Sequence, residues 1–300
     1  MFHDFLSLAD LTGDEILGLI GFADKLKKMR LDRKIYRPLE GKTLALIFEK
    51  PSLRTRLTFE TGMFQLGGQA IFYPTRLGER ETVPDIARNL ERWVDGIVAR
   101  TFSHEVVVEL ARYASVPVIN ALTDKQHPCQ ILADAQALRQ HKGDFARLKV
   151  VFVGDGNNVF ASWAHFAGRV PINLTLVCPE GYEGDPDVLA FARAQAKGEF
   201  AVTHDIASGV AGADAVYTDV WASMGQEDEA EARARVFAPY QVNDRLMALA
   251  KPDAVFMHCL PAHRGSEVTD EVMDSPRSIV FDQAEDRLHA QKAIMVALMK

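Results

Sequence analysis

Cysteine is scarce in this chain: Cys129, Cys178 and Cys259 are the three in 300 residues. They are too few and too scattered for a disulfide framework or a zinc cluster. Reduced thiols fit a cytosolic setting. No run approaches the roughly 18 consecutive apolar residues that a membrane helix needs. Bases are also in deficit: 34 Lys and Arg stand against 41 Asp and Glu, a formal net charge of −7. An acidic chain is poorly built for broad nucleic-acid binding. The opening MFHDFLSLADLTGDE carries acids where a signal peptide carries bases. The expectation is a cytoplasmic protein with neither a membrane nor a nucleic-acid partner. A small anion would have to be met by bases gathered in one place.

Apolar residues make up 48% and charged residues 25%, ordinary values for a globular chain. At roughly 150 residues per domain, the length suggests two domains. Thr12-Gly-Asp-Glu15 has capping-box spacing and opens a helix to about Met29. Lys42–Phe48 reads as a buried parallel strand, and Pro51-Ser52 then starts a helix that Gly67-Gly68 stops. Further strands are expected at 70–73, 96–100 and 117–119, with helices at 82–92 and 104–112. A second series starts at Lys149–Val153 and continues with strands near 174–177, 200–203, 214–218, 254–257 and 278–281. Strand and helix alternating in this way is the pattern of doubly wound parallel sheets. The expected fold is α/β, with two doubly wound domains, each a parallel sheet flanked by helices. Their bounds are set at 1–135 with 286–300, and 136–285. One helix from His127 to about Gly143 connects them, and a last helix, about 285–300, crosses back to the first.

Phe48-Glu-Lys-Pro-Ser-Leu-Arg-Thr-Arg56 lies where a parallel strand turns into a helix. Ligands bind at such carboxyl ends, and helix N-termini favour anions. Ser52 and Thr55 add hydroxyls; Arg54 and Arg56 add forks suited to phosphate. Residues two apart do not share a helix face, so the two arginines reach one ligand only around the helix tip. The same residues would equally form a solvated basic first turn. In His127-Pro-Cys-Gln130, the histidine and glutamine are three apart and can share a face. Together they can hydrogen-bond a carbonyl; alternatively His127 is a simple N-cap beside a surface glutamine. Arg100 ends a strand on the same sheet edge, as a ligand or as a rim ion pair.

Ser52-Leu-Arg-Thr-Arg56 resembles the Ser-Thr-Arg-Thr-Arg signature of the aspartate and ornithine carbamoyltransferase family, and His127-Pro-Cys-Gln130 resembles its His-Pro-x-Gln. The resemblance implies that Ser52, Leu53 (through its backbone N–H), Arg54, Thr55 and Arg56 hold the phosphate of carbamoyl phosphate. Arg100, His127 and Gln130 would hold and polarise its carbamoyl group, and Arg287 would return to this site from the last helix. Leu53 stands where threonine is commoner and removes one hydroxyl.

In the second half, Gly154-Asp-Gly-Asn-Asn158 superficially suggests a dinucleotide fingerprint, but G-x-G-x-x-G needs glycine where Val159 stands. Asp219-Val-Trp-Ala-Ser-Met-Gly225 is similar to the Asp-x-x-x-Ser-Met-Gly loop of the ornithine branch, and His258-Cys-Leu-Pro261 to its His-Cys-Leu-Pro. The aspartate branch resembles His-Pro-Leu-Pro there. The resemblance implies that Asn158, Asp219, Ser223, Met224, Cys259 and Leu260 bind ornithine.

The implied reaction gives citrulline and phosphate, with Arg56, Arg100, His127 and Cys259 as catalytic residues. It requires no metal or organic cofactor, because carbamoyl phosphate is already activated. Covalent catalysis by Cys259 is disfavoured: His258, adjacent on a strand, would face the other way. The family also implies a homotrimer, or an assembly of trimers. Arg76 or Arg80, in Arg76-Leu-Gly-Glu-Arg-Glu-Thr82, would then complete a neighbour's phosphate site, unless the segment is a plain charged loop. An ornithine derivative or putrescine as acceptor, and a catalytically idle regulatory homologue, are the alternatives.

Overall fold

A computed structural model describes residues 2–222 and 227–300. The chain divides into two compact units, Met1–Gln136 with Glu285–Lys300, and Ala137–Ala284.

The first unit holds α1 (Gly13–Leu31), β1 (Thr43–Phe48), α2 (Leu53–Leu66), β2 (Gln69–Pro74), α3 (Val83–Leu90), β3 (Gly96–Arg100), α4 (His104–Tyr113) and β4 (Val118–Leu122). Its sheet is parallel, in the order β2-β1-β3-β4. The capping box before α1 forms in both directions between Thr12 and Glu15. Ser52 caps α2, a contact typically worth about 1 kcal/mol. Gly67 ends α2 at φ 95°, in the left-handed region that glycine enters without Cβ strain. All five residues of β3 are buried, as expected of a strand covered on both faces.

α5 (Pro128–Lys142) carries the chain to the second unit, with proline in its first turn. There follow β5 (Lys149–Val153), α6 (Asn158–Ala167), β6 (Asn173–Val177), α7 (Pro186–Gln195), β7 (Phe200–Thr203), α8 (Ile206–Val210), β8 (Ala215–Thr218), α9 (Ala230–Phe237), α10 (Asp244–Met247), β9 (Val255–His258) and α11 (Asp270–Met273). The sheet, in the order β7-β6-β5-β8-β9, is again parallel throughout. Its core includes Val151, Val153, Val216 and Phe256.

One expected strand is absent. Ser278–Phe281 pairs with the sheet only through a single bridge, Phe256 to Ser278, and helix α12 begins at Val280 and runs to Met299. The β-branched pair Ile279-Val280 suggested a strand, but Phe281 is 67% exposed, the outer face of a helix and not a buried sheet position. From Glu285 onward α12 belongs to the first unit. It packs against α2: a Cβ on Gly62 would stand 2.7 Å from Met295 Cε. Lys27 of α1 holds it by a 2.8 Å ion pair to Asp286.

Candidate active site

The first sheet reverses its strand order between β1 and β3, where Phe48 is in register with Arg100. Sheets of this type bind ligands beyond the carboxyl ends of the strands at that reversal. Ser52 accepts the Thr55 N–H at 3.3 Å and so sets the first turn of α2 there. Leu53 points outward, 70% exposed, while Thr55 is buried. Thr55 Oγ1 accepts from Arg287 Nη2 at 3.0 Å. The other terminal nitrogen of Arg287 donates to Gln130 Oε1, and Gln130 Nε2 donates to Asp134 at 2.7 Å. Arg287 therefore ties α12 to both α2 and α5.

His127, immediately before α5, is buried. Burial, followed by the charges of Arg287, Arg100 and Arg54, holds its pKa well below the ordinary histidine value. The ring is neutral at neutral pH and offers one N–H and one lone pair. The charges of three arginines from three elements thus act on one imidazole. Arg56 is not among them: its Nε donates to Glu60 at 2.9 Å, and its guanidinium lies 3.8 Å from the Phe72 ring centroid. Two residues along a helix is about 200° of rotation, which turns Arg56 away from Arg54.

Arg76 and Arg80 lie exposed on the loop after β2. Arg76 faces Glu79 at 3.5 Å and the Phe102 ring at 5.1 Å. The root of that loop is fixed by Glu49, to which the sequence motifs assign no role. Its two oxygens accept from the Leu77 N–H at 3.1 Å and the Phe102 N–H at 2.8 Å. Its signal was present: a lone acid at a strand end among bases.

The second sheet reverses between β5 and β8, where Val153 is in register with Thr218. Gly156 lies against another backbone segment: a Cβ there would stand 2.4 Å from the Glu183 carbonyl. That close approach accounts for the glycine without any bound phosphate. Asn157 caps α6 by accepting from the Val159 and Phe160 N–H groups at 2.9 and 3.1 Å. Its Nδ2 donates to Asp219 Oδ2 at 2.8 Å, and the Cys259 thiol donates to Asp219 Oδ1 at 3.0 Å. Asp219 is 7% exposed, so its carboxylate is held by these two partners in a largely dry setting. Asn158 opens α6 beside them, but it is Asn157 that reaches Asp219. Ser223 and Met224 lie outside the described residues.

His258 and Cys259 face different partners. His258 Nδ1 accepts the Leu260 N–H at 2.9 Å, leaving the proton on Nε2, 3.2 Å from Glu267. With both nitrogens engaged, His258 is not a base for the thiol. For the same reason His258 does not offer a metal its ring, although ligand atoms of Asp219, His258 and Cys259 lie within 4.8 Å of one another. Leu260 takes φ 59°, a conformation uncommon for residues other than glycine, next to a cis bond to Pro261.

The sequence model of the aspartate/ornithine carbamoyltransferase carbamoyl-P binding domain matches residues 3–140, and that of the Asp/Orn binding domain matches residues 146–298. The chain belongs to the aspartate/ornithine carbamoyltransferase family. It is 52% identical to the ornithine carbamoyltransferase of Syntrophus aciditrophicus over 302 residues, covering 100% of both chains. It is 53% identical to that of Thermococcus kodakarensis, covering 99% of this chain and 96% of the relative. The solved ornithine carbamoyltransferase structure from Pyrococcus furiosus superposes with a TM-score of 0.96 at 50% identity, over 99% of this chain and 97% of that one. The first cluster described above falls in the first matched domain except for Arg287, and the second cluster falls in the second. Residues 52–55, 100, 127 and 130 fall in the first match, and residues 157, 219 and 259 in the second.

Proposed function

We propose that this chain transfers the carbamoyl group of carbamoyl phosphate to the δ-amine of L-ornithine, giving citrulline and phosphate. The observation that carries the choice of acceptor is the buried Asp219 carboxylate between Asn157 and Cys259. A buried anion invites a cationic amine and repels the side chain of aspartate. Ornithine supplies that amine.

At the first cluster, the N-terminus of α2 with Ser52, Leu53, Arg54 and Thr55 receives the phosphate. Arg56 joins by exchanging Glu60 for the phosphate, one anion for another. Arg100, neutral His127 and Gln130 donate to the carbamoyl oxygen as charge grows on it. Arg287 holds Gln130 and Thr55 in place. An alkylammonium has a pKa of about 10.4, by analogy with lysine, and must lose a proton before it attacks. The neutral amine attacks the carbonyl carbon, the carbon–oxygen bond to phosphate breaks, and the departing phosphate takes up the amine's second proton. Orientation of the two reactants can supply roughly 7–11 kcal/mol. Asn158, Ser223, Met224 and Leu260 complete the ornithine pocket. Among the described residues no helix is long and apolar enough to cross a membrane, which suits a cytoplasmic enzyme of small soluble substrates.

A colorimetric citrulline assay tests the acceptor, with carbamoyl phosphate offered to ornithine, N-acetylornithine, putrescine and aspartate in parallel. Ornithine should give the highest kcat/KM; faster turnover of another amine overturns the reading, and no turnover of any favours the idle homologue.

The enzyme works as a homotrimer, in which Arg76 or Arg80 of one subunit completes the phosphate site of the next. Mixing an Arg54→Ala chain with an Arg76→Ala/Arg80→Ala chain should restore part of the lost activity through hybrid sites. No recovery on mixing argues for a site built within one chain.

A further inference from the structure

A cavity of about 370 Å³ opens in the first unit beside the C-terminus of α1 and shares no residue with either cluster described above. Arg30, Arg33, Lys34, Arg37 and Lys292 line it, and no acidic residue does. So many cations in one concavity run against a chain whose net charge is −7. The ordinary reason for bases here is the helix dipole, which draws cations to the last turn of α1. That reason covers Arg30. It does not cover Arg37, which lies beyond the helix, or Lys292, which comes from α12.

Lys292 is 6% exposed. Its ammonium donates to Gln65 Oε1 at 3.0 Å, a neutral partner. Buried charges are ordinarily paired with an opposite charge. Burial, followed by the charge of Arg30, pushes the Lys292 pKa down to about 8. Among the described residues, Arg30, Arg33, Arg37 and Lys292 form no ion pair with a carboxylate, whereas Lys34 meets Asp32 at 3.5 Å. Arg33 adds an independent sign. It follows the C-cap Asp32 with φ 54°, the left-handed conformation in which glycine commonly ends helices. Its exposed side chain packs no core to offset that strain. The rest of the wall is apolar: Leu26 and Met29 of α1, with Ile35, Tyr36 and Phe64. Ile35 and Phe64 are 88% and 79% exposed. The volume falls within the range of small-molecule sites, about 300–1,000 Å³.

We propose that this cavity is a second anion site, separate from the one at the N-terminus of α2, and that it takes a small organic phosphate. The phosphate group sits among Arg30, Arg33, Arg37 and Lys292, and the apolar body lies on Ile35, Tyr36 and Phe64. A dianion answers several cations at once, and guanidinium forks match its oxygens. A single carboxylate leaves most of that charge unanswered, and a bare inorganic ion leaves the apolar wall uncovered. The site uses α2 and α12, the helices whose Thr55 and Arg287 join at the first cluster, but neither of those residues lines it.

The test is equilibrium dialysis of phenyl phosphate against the full-length Arg54→Ala chain, in which the phosphate site of the first cluster is weakened. Adding Lys292→Met should weaken binding by about tenfold or more, the usual loss of a charge-assisted contact. Adding Arg33→Gly should also weaken it while leaving Tm unchanged or higher, because glycine accepts φ 54° without strain. That variant keeps the test open if Lys292→Met does not fold. Inorganic phosphate should bind more weakly than phenyl phosphate, and phenol should not bind. In carbon-13 NMR of lysine-labelled protein, the Lys292 titration near 8 should move upward with phenyl phosphate, since an adjacent anion favours the ammonium. Affinity untouched by either change, or an unmoved Lys292 titration, overturns the proposal. Equal affinity for inorganic phosphate overturns the organic ligand. Sedimentation with anionic phospholipid vesicles that Lys292→Met abolishes overturns a soluble one. In the otherwise wild-type chain, both changes should keep KM for carbamoyl phosphate within about twofold; a larger rise joins Lys292 to the first cluster and overturns a separate site. Citrulline formation is read independently, so the failure of either proposal leaves the other standing.

Discussion

Replacing Arg100 with methionine lowers kcat by about 10²–10³-fold, the usual loss when one donor to a developing oxyanion is removed. KM for ornithine should barely move. Arg100 closes β3 and is 6% exposed, so its guanidinium is fixed before any substrate arrives. A preset cation spends no reorganisation energy as charge develops, which is why its removal acts on kcat. Methionine keeps the unbranched stem and much of the volume, so the packing survives. A second readout is independent of catalysis. Burial is the main cause of the low pKa of His127, and Arg287, Arg100 and Arg54 follow. Removing Arg100 must therefore raise that pKa, with Arg287 and Arg54 still opposing ionisation. Nitrogen-15 NMR of the imidazole follows the shift. A kcat within threefold of wild type, or an unmoved His127 titration, would remove Arg100 from the role given it.

The parts of the site legible in the sequence are those whose signals are local. Ser52 and Gly67 mark the two ends of α2 through capping chemistry that needs only a few neighbouring residues. The depth of β1 was visible in its apolar run, Lys42–Phe48. The strand–helix alternation then placed residues 52–56 and 219 at carboxyl strand ends, and the sheet orders put both at points where the strand order reverses. Signals carried over distance were not legible. Asp155 and Arg233 form an ion pair across 78 residues, and no periodicity links them. Asn157 and Asn158 are identical in type; only the cap geometry decides which side chain turns toward Asp219. Arg56 matched a motif, yet helix rotation and the Phe72 ring direct it to Glu60. At Ser278–Phe281 composition pointed to a strand, and the helix that starts at Val280 overrode it.

The change Asp219→Asn should reduce kcat/KM for ornithine by about three orders of magnitude, within the 2–5 kcal/mol typical of truncating a buried charge pair. Carbamoyl-phosphate KM should stay near wild type. The carboxylate accepts on both oxygens, from Asn157 Nδ2 and from the Cys259 thiol. An amide is isosteric but brings a donor, which must then face the Asn157 donor or the thiol. Charge and acceptor capacity are lost together. A near-wild-type ornithine KM in this variant would sink the acceptor reading altogether. The pH profile then decides how Asp219 acts. An anion beside the δ-ammonium stabilises the charged form and raises the pKa of the bound amine. Binding and reactivity therefore oppose each other: the same carboxylate that captures the amine delays its deprotonation. In Asp219→Asn the limb of kcat against pH that reports amine deprotonation should move to lower pH, even as affinity falls. If Asp219 instead removed the proton as a general base, its loss would move that limb upward, toward the pKa of the unassisted amine. The direction of the shift separates a counter-ion from a base.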